Sequence, residues 1–355
     1  MRYRIASILA PEGADTAGTK TIDITDTKPM SRITIQMKGM NSTSVPTAHP
    51  AKMISKIELV DGSNVLFSLS GVEAQALNYY ERGRMPDGLM SYVNDTYCGA
   101  CFELNFGRYL HDEMFAFDPT KFSNPQLKIT HNKASGGCAP DAGILSVFAH
   151  CFDEQEVKPI GFMMSKEQFS YTLTASAKQQ IDLACDMPYR FLFIKSLASG
   201  YAPYTQFNKI KLSENNDQRV IINDEATSDL VKLLQDLPNI VESILCYDLD
   251  GEETIYCSPS YLEHVVGLGM NVADTALFAD QGYGGTFDAT GTANQLSTFV
   301  VRGQLPHGTL AIPFGKKDIP EDWYDVSKVG TLKLTLTAGA GAGTIEIFSQ
   351  QKRLY

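Results

Sequence analysis

No run of apolar residues in this 355-residue chain reaches the roughly 18 needed to cross a bilayer as a helix, so no spanning helix is expected. A basic surplus is missing as well. Lys and Arg number 30 against 41 Asp and Glu, a formal charge of −11. Wrapping nucleic acid needs a net basic face, so sequence-specific nucleic-acid binding is not expected, and any contact with genome or anionic lipid has to be local. Histidine is sparse: His49, His111, His131, His150, His264 and His307 are scattered and form no His-x-His pair. No G-x-S-x-G elbow sets a serine on a strand-to-helix turn.

Seven cysteines (98, 101, 138, 151, 185, 246 and 257) form no even disulfide framework. The first residues, MRYRIASILAPEGAD, hold an apolar stretch of about five residues, shorter than the roughly 7–15 of a secretory core, and it alternates like a strand. Reduced thiols in a cytosolic compartment are therefore the expectation.

The hydrophobic content of 43% and charged content of 20% are those of a globular protein, and 355 residues exceed what one core comfortably serves. The dominant periodicity is two. Short alternating runs broken by Gly, Pro, Asn and Asp predict strands at 2–8, 21–25, 32–37, 56–60, 64–69, 101–106, 126–130 and 144–150. Asp61-Gly62 supplies a hairpin turn between the fourth and fifth, and VEAQALNYYERGR (72–84) reads as a helix stopped by Gly83 and Pro86.

The second half repeats that order, with strands predicted at 169–174, 179–185, 190–195, 208–213, 219–223, 310–314, 331–337 and 344–350. A helix at 226–237 falls in the same slot, with a buried stripe expected from Leu230, Leu233, Leu234 and Leu237. The halves also share strings in order. SKIELVDGSNVLFSLSGVEAQAL (55–77) follows the plan of NKIKLSENNDQRVIINDEATSDLVKLL (208–234), and FELNFGR (102–108) resembles LAIPFGK (310–316). FDPTKFSNPQLKIT (117–130) parallels YDVSKVGTLKLT (324–335), and GILSVFAH (143–150) parallels GTIEIFSQ (343–350). The offset grows from about 153 residues to 208, because the first copy passes from helix to sixth strand in about 17 residues (85–101) and the second in about 70 (240–309).

A duplicated unit of eight strands predicts two tandem eight-stranded jelly-roll β-sandwiches, each with one helix between its fifth and sixth strands. An immunoglobulin-like sandwich accommodates that helix poorly. The expected division is 1–160 and 161–355, with a long insertion at about 240–309, because DEQEVKPIGFMMSK breaks the alternation near 154–166.

In this plan the chain resembles the double jelly-roll major capsid proteins of tailless icosahedral viruses, the structural class that includes the adenovirus hexon. The resemblance covers essentially the whole chain and rests on architecture, not on a short motif. It implies a non-enzymatic structural subunit that forms pseudo-hexagonal homotrimers, two units per chain giving six similar corners. It further implies shell tiling, penton and minor capsid partners, and a place in the virion after assembly in the host cytoplasm. It makes 240–309 an outer tower or trimer clasp. The modest length and short loops point toward a bacteriophage.

Candidate chemistry was weighed against simpler readings. Cys98-Gly-Ala-Cys101 has zinc-like spacing, but Cys138 and Cys151 make no second close pair, so small buried cysteines are the simpler reading. Metal cupins and tandem jelly-roll copper monooxygenases both need clustered histidines. Asp248 and Asp250 invite a cation, yet Asp250-Gly251 more simply turns a hairpin between SILCYDL and ETIYCS. TAGAGAG (337–343) lacks the Lys-Ser/Thr of a phosphate loop and reads as a strand connection. Carboxylates paired for glycoside hydrolysis stay open, because their separation is a tertiary property. A glycan-binding spike module and a two-jelly-roll glycan hydrolase are thus the alternatives to a capsid subunit. No catalytic, metal or cofactor residue is assigned. Arg2, Arg4, Lys352 and Arg353 make both ends basic, and suggest inward-facing termini that contact an inner membrane or genome. Tyr79, Tyr80, Tyr92 and Tyr97 suit either an interface or ordinary packing on the sheet.

Overall fold

A computed structural model describes residues 2–41, 47–93, 95–137, 142–154, 156–234, 236–247, 251–269, 283–291, 295–339 and 343–355. The first half contributes β1 (Tyr3–Gly13), β2 (Gly18–Asp23), β3 (Met30–Asn41), β4 (Ile54–Asp61), β5 (Asn64–Leu69), α1 (Gly71–Arg82), β6 (Gly88–Leu89), β7 (Ser91–Tyr92), β8 (Thr96–Asn105), β9 (Pro125–His131) and β10 (Gly143–Phe152). Its eight long strands fall into the orders β1-β10-β3-β8 and β2-β9-β4-β5, the latter continuing past β5, through a parallel Ser68–Lys166 pairing, into a sheet of the second half. Counted along the roll, these are 1-8-3-6 and 2-7-4-5. The strands interleave as a jelly roll.

The second half supplies β11 (Gly161–Thr172), β12 (Lys178–Leu183), β13 (Tyr189–Ser196), α2 (Pro203–Gln206), β14 (Phe207–Glu214), β15 (Arg219–Ala226) and α3 (Thr227–Leu233). A five-strand excursion follows: β16 (Ile240–Tyr247), β17 (Gly251–Tyr256), β18 (Pro259–Gly269), β19 (Thr286–Gly291) and β20 (Leu296–Pro306). The roll then closes with β21 (Thr309–Pro313), β22 (Leu332–Ala338) and β23 (Thr344–Leu354). The orders β11-β23-β13-β21 and β12-β22-β14-β15 are again 1-8-3-6 and 2-7-4-5. The fold is an all-β double jelly roll.

Local chemistry explains the elements. In β3, Ile33, Ile35 and Met37 are buried while Arg32, Thr34, Gln36 and Lys38 between them are half-exposed, the alternation that fixes register. Gly62, at φ 60°, is the first residue of the two-residue β4–β5 loop, the place where a type II′ turn demands glycine. Ser70 and Glu73 close a reciprocal capping box on α1, and Gly83 ends it in the left-handed region, its N–H donating to the Tyr79 carbonyl at 2.7 Å.

α1 is wedged between the rolls, with every residue from Gly71 to Tyr79 buried. On one side Asn78 closes a two-way bond with the β8 backbone: its Nδ2 donates to the Glu103 carbonyl at 2.6 Å and its Oδ1 accepts from the Glu103 N–H at 2.9 Å. On the other side Tyr80 Oη donates to the Thr309 carbonyl of β21 at 2.7 Å. β13 completes the junction and is buried throughout. Phe191 and Phe193 pack into the first roll's core, whereas Leu192 and Ile194 pack into the second's.

Several expectations need correction. Gly161–Ser165 departs from alternation because the start of β11 is buried on both faces, not because the chain leaves the sheet. α3 spans only Thr227–Leu233, and its inward residues are Leu230, Val231 and Leu234; Leu233 is 75% exposed. The short α2 was not anticipated. β16 does not form a hairpin with β17: it pairs with β20 and with β7 of the first half, while β17 pairs with β19. Among the described residues no helix is long and apolar enough to cross a membrane.

Candidate assembly surfaces

β8 and β21, the sixth strands of the two rolls, both run from the excursion toward the opposite end of the molecule. Ten residues of β8, at about 3.3 Å each, carry the chain roughly 33 Å from Thr96 to Asn105. The excursion therefore caps one end as a tower. Its sheet, ordered β18-β20-β16-β7, borrows its last strand from the first roll's own connection, and Tyr92 Oη donates to the Tyr256 carbonyl at 3.0 Å. The β17–β19 ribbon covers one face of that sheet, burying Ile244, Cys246, Ile255, Phe287, Ala289, Phe299 and Val301 in a core of their own. Its other face leaves Val241 (66% exposed), Val266 (56%), Leu268 (66%) and Val300 (38%) in contact with solvent. In register Val266 lies opposite Val300, while Val241 lies opposite Arg302 and Leu268 opposite Thr298 on the same face.

The two chain ends meet at the other end. Tyr3 pairs with Phe152, Gly161 with Leu354, and Tyr355 N–H donates to the Ile160 carbonyl at 3.1 Å. Tyr355 Oη donates to the Ala116 carbonyl and accepts from Asp118 N–H, both at 2.6 Å, which ties the C-terminus to the first roll. Of the basic residues at these ends only Arg4 is ion-paired among the described residues, while Lys352 and Arg353 keep their charge and donate to neutral acceptors. Arg4 pairs with Asp26 and, at 3.2 Å, with Asp153. Lys352 donates to the Pro320 carbonyl at 3.4 Å and Arg353 to Asn64 Oδ1 at 3.3 Å. Arg2 stays exposed.

The residues weighed for chemistry do not converge. Cys98 is disulfide-bonded, which corrects the expectation of reduced thiols throughout, while Cys101, Cys151, Cys185, Cys246 and Cys257 are free. Burial pushes the Cys151 thiol up to about 11 and the Cys246 thiol up to about 12, so neither is a ready nucleophile. His131 lies on β9 and His150 on β10, in different sheets. Cys138, Asp248 and Asp250 lie outside the described residues. Among the described residues no group of three His, Cys, Asp or Glu side chains is arranged to hold a metal ion. Gly339 sits where a Cβ would meet the Thr205 carbonyl at 2.0 Å, so this part of the Gly-rich run is backbone packed against α2.

Two inter-roll carboxylates have raised pKa values, yet both are structural. Burial pushes Glu81 up to about 7, against hydrogen bonds from Asn105 (2.6 Å) and Gln350. Glu73 is pushed up by burial and held by Ser70 N–H at 2.8 Å and by Lys195 at 3.9 Å. Tyr79, Tyr80 and Tyr92 likewise face the junctions among rolls and tower. They serve an interface within the chain. Tyr97 is half-buried at the start of β8.

No family model matches the chain. No curated protein matches it by sequence. The solved structures do. The major capsid protein P2 of bacteriophage PM2 superposes with a TM-score of 0.59 at 10% identity, covering 99% of this chain and 98% of that one. A chain of the Sulfolobus turreted icosahedral virus gives 0.62 at 11% identity, over 100% and 91%. PBCV-1 VP54 gives 0.58 at 12% identity, over 99% and 93%. The chain thus has the fold of the double jelly-roll major capsid proteins. At these identities the likeness is one of fold.

Proposed function

We propose that this chain is a major capsid protein of a tailless icosahedral virus, a structural subunit without catalytic residues or an obligatory cofactor. One observation carries the reading: two rolls of identical strand order stand side by side, sharing an end with both termini and an end with the tower. Structural similarity over the full chain to capsid proteins from several viruses supports it. Three such chains around a threefold axis present six similar blocks, so pseudo-hexagonal homotrimers can tile a closed shell, with the tower breaking sixfold into threefold symmetry.

In this reading the chain divides at 1–160 and 161–355, and the tower faces outward. The bare tower face contacts a second copy of the chain, and the chain ends face the shell interior. Since Arg4 is ion-paired within the chain, contact with genome or inner membrane through the ends would fall to Arg2, Lys352 and Arg353, whose charges have no carboxylate partner among the described ion pairs. Penton and minor capsid proteins would complete the shell, assembled in the host cytoplasm. Fewer reasons favour a spike module or glycan hydrolase: both inter-roll carboxylates are fixed by structural partners. Light scattering on the purified protein, followed by electron microscopy, tests the proposal. Trimers and sheet-like or shell-like particles are expected. A chain that stays monomeric at high concentration and forms no particles would overturn it.

A further inference from the structure

Where both rolls and the tower meet, the chain buries two histidines against each other. His49 (5% exposed) precedes the one-turn 3-10 helix Pro50–Met53 of the first roll, and His307 (1%) sits in the turn by which the tower returns to β21. Their ring centroids are 4.7 Å apart at an interplanar angle of 76°. The hydrogen bonds dictate one tautomer for His49. Its Nδ1 accepts from Ala51 N–H at 3.0 Å, so the proton is on Nε2, which donates to Ser258 Oγ at 3.2 Å. Ser258 Oγ in turn donates to Glu242 Oε1 at 2.8 Å, and its N–H donates to Glu242 Oε2 at 2.8 Å. His307 N–H donates to the Ser258 carbonyl at 2.7 Å, and His307 Nε2 donates to Gln75 Oε1 of α1 at 2.9 Å. Gln75 Nε2 continues to the Cys101 carbonyl at 3.1 Å. One chain of hydrogen bonds thus ties tower, first roll and inter-roll helix.

We propose that the His49–His307 pair is an acid-released latch, which fastens the base of the tower while both rings are neutral and opens when they take up protons. The geometry makes protonation disruptive. A second proton on His49 must go to Nδ1, where it meets the Ala51 N–H and breaks the cap of the 3-10 helix. The new charge lies beside the His307 ring, with Lys52 from the 3-10 helix and Lys195 from β13 also facing the pair. The nearby carboxylates are committed: Glu73 of α1 and Glu346 of β23 pair with Lys195, and Glu242 of β16 is reached only through Ser258. Tyr92 and Cys257 stand against Glu242, and burial pushes that carboxyl up toward its neutral form. Burial holds His49 down to about 3 and His307 well below its ordinary value. Both rings are therefore neutral in the closed latch, whereas an opened chain protonates them below about pH 6.5. The latch is fully closed above that value and weakens as pH falls. The proposal stands apart from the capsid reading and does not depend on it.

Hydrogen exchange on the intact chain tests it, with rates corrected for the intrinsic effect of pH. Between pH 7.5 and 5, the opening of segments 48–53, 256–260 and 304–310 is expected to grow on the order of thirtyfold if one histidine drives it and a thousandfold if both do. β1 and β12, edge strands of the two rolls away from the pair, are expected to change far less. The double variant His49→Asn and His307→Asn keeps a side-chain cap for Ala51 and suits the φ of 48° at position 307; it should lose the extra opening. Exchange at the imidazole C2 positions of the wild-type chain reads both titrations without any substitution, and both rings are expected to titrate well below the ordinary histidine value. Uniform loosening of latch and remote strands, an unchanged pH response in the variant, or imidazoles that titrate near 6.5 would each overturn the proposal.

Discussion

Phe193 lies flat on Phe348, ring centroids 4.5 Å apart and planes 12° from parallel, on the side of β13 and β23 that faces the first roll. Tyr80 of α1 leans on the same ring from 5.8 Å. The second roll's sheet therefore spends one face on its own core and the other on its neighbour's, and the two units are fused by apolar contact as well as by chain connectivity. Truncation of Phe193 to alanine removes a large buried ring from that layer, at a cost of about 3–5 kcal/mol. Denaturant unfolding of Phe193→Ala should show this loss. A cost below about 1 kcal/mol would mean that the rolls do not rely on the contact.

Asn78 supports the same junction by polar means. Its amide occupies both backbone groups of Glu103, a pairing that a neighbouring strand would otherwise provide. Asn78→Ala leaves a buried N–H and a buried carbonyl without partners, each costing about 1–3 kcal/mol. Loss of about 2–4 kcal/mol in unfolding free energy is expected, with faster amide exchange along β8. Asn78→Asp should be costly too, because a carboxylate cannot donate to the Glu103 carbonyl.

Glu81 sets an opposite pH dependence to that of the histidine latch. The unfolded chain releases this proton near pH 4.5 and the folded chain near 7, so the folded state carries the extra proton in between. Stability from this group is complete below about pH 4.5 and falls as pH rises, reaching a loss of about 3 kcal/mol above pH 7. Glu81→Gln keeps a neutral side chain at every pH. Urea titrations at pH 5 and pH 8.5 should show no gain for the variant at the lower pH and a gain of up to about 3 kcal/mol at the higher. An equal effect at both would refute the assignment.

The strand order was readable because each sheet alternates cleanly where only one face is buried, as in β3, and because the duplicated strings kept their sequence. The helix slots were readable from composition and stop signals, with Gly83 and Pro86 closing α1, and from the leucine spacing of the second helix, whereas the Ser70–Glu73 capping box was not read beforehand. Where both faces are buried, as at Gly161–Ser165, alternation vanishes and the start of β11 was mistaken for a break. Pairing inside the tower was not legible, because Asp250-Gly251 resembles a hairpin turn while the actual partners of β16 lie about 50 residues downstream in β20 and about 150 upstream in β7. The His49–His307 contact joins positions far apart in sequence, and nothing local marks either ring as buried. A disulfide at Cys98 likewise had no local signature.

The tower face offers the sharpest test of self-association. Val241, Val266, Leu268 and Val300 stand on three adjacent strands with no covering element among the described residues, so their hydration is a standing cost that a second copy can relieve. Carboxylates there would have to be desolvated without a partner when two copies meet, a penalty of several kcal/mol per ion. The double variant Val266→Asp and Leu268→Asp should fold normally, since both side chains already face water, yet should lose association. Light scattering is expected to give three times 39.0 kDa for the wild-type protein and 39.0 kDa for the variant at the same concentration. Circular dichroism and thermal unfolding of the monomer should match the parent, which separates a lost contact from a lost fold. If the variant still forms trimers, the contact lies elsewhere, and the lateral faces of the rolls become the next surfaces to alter.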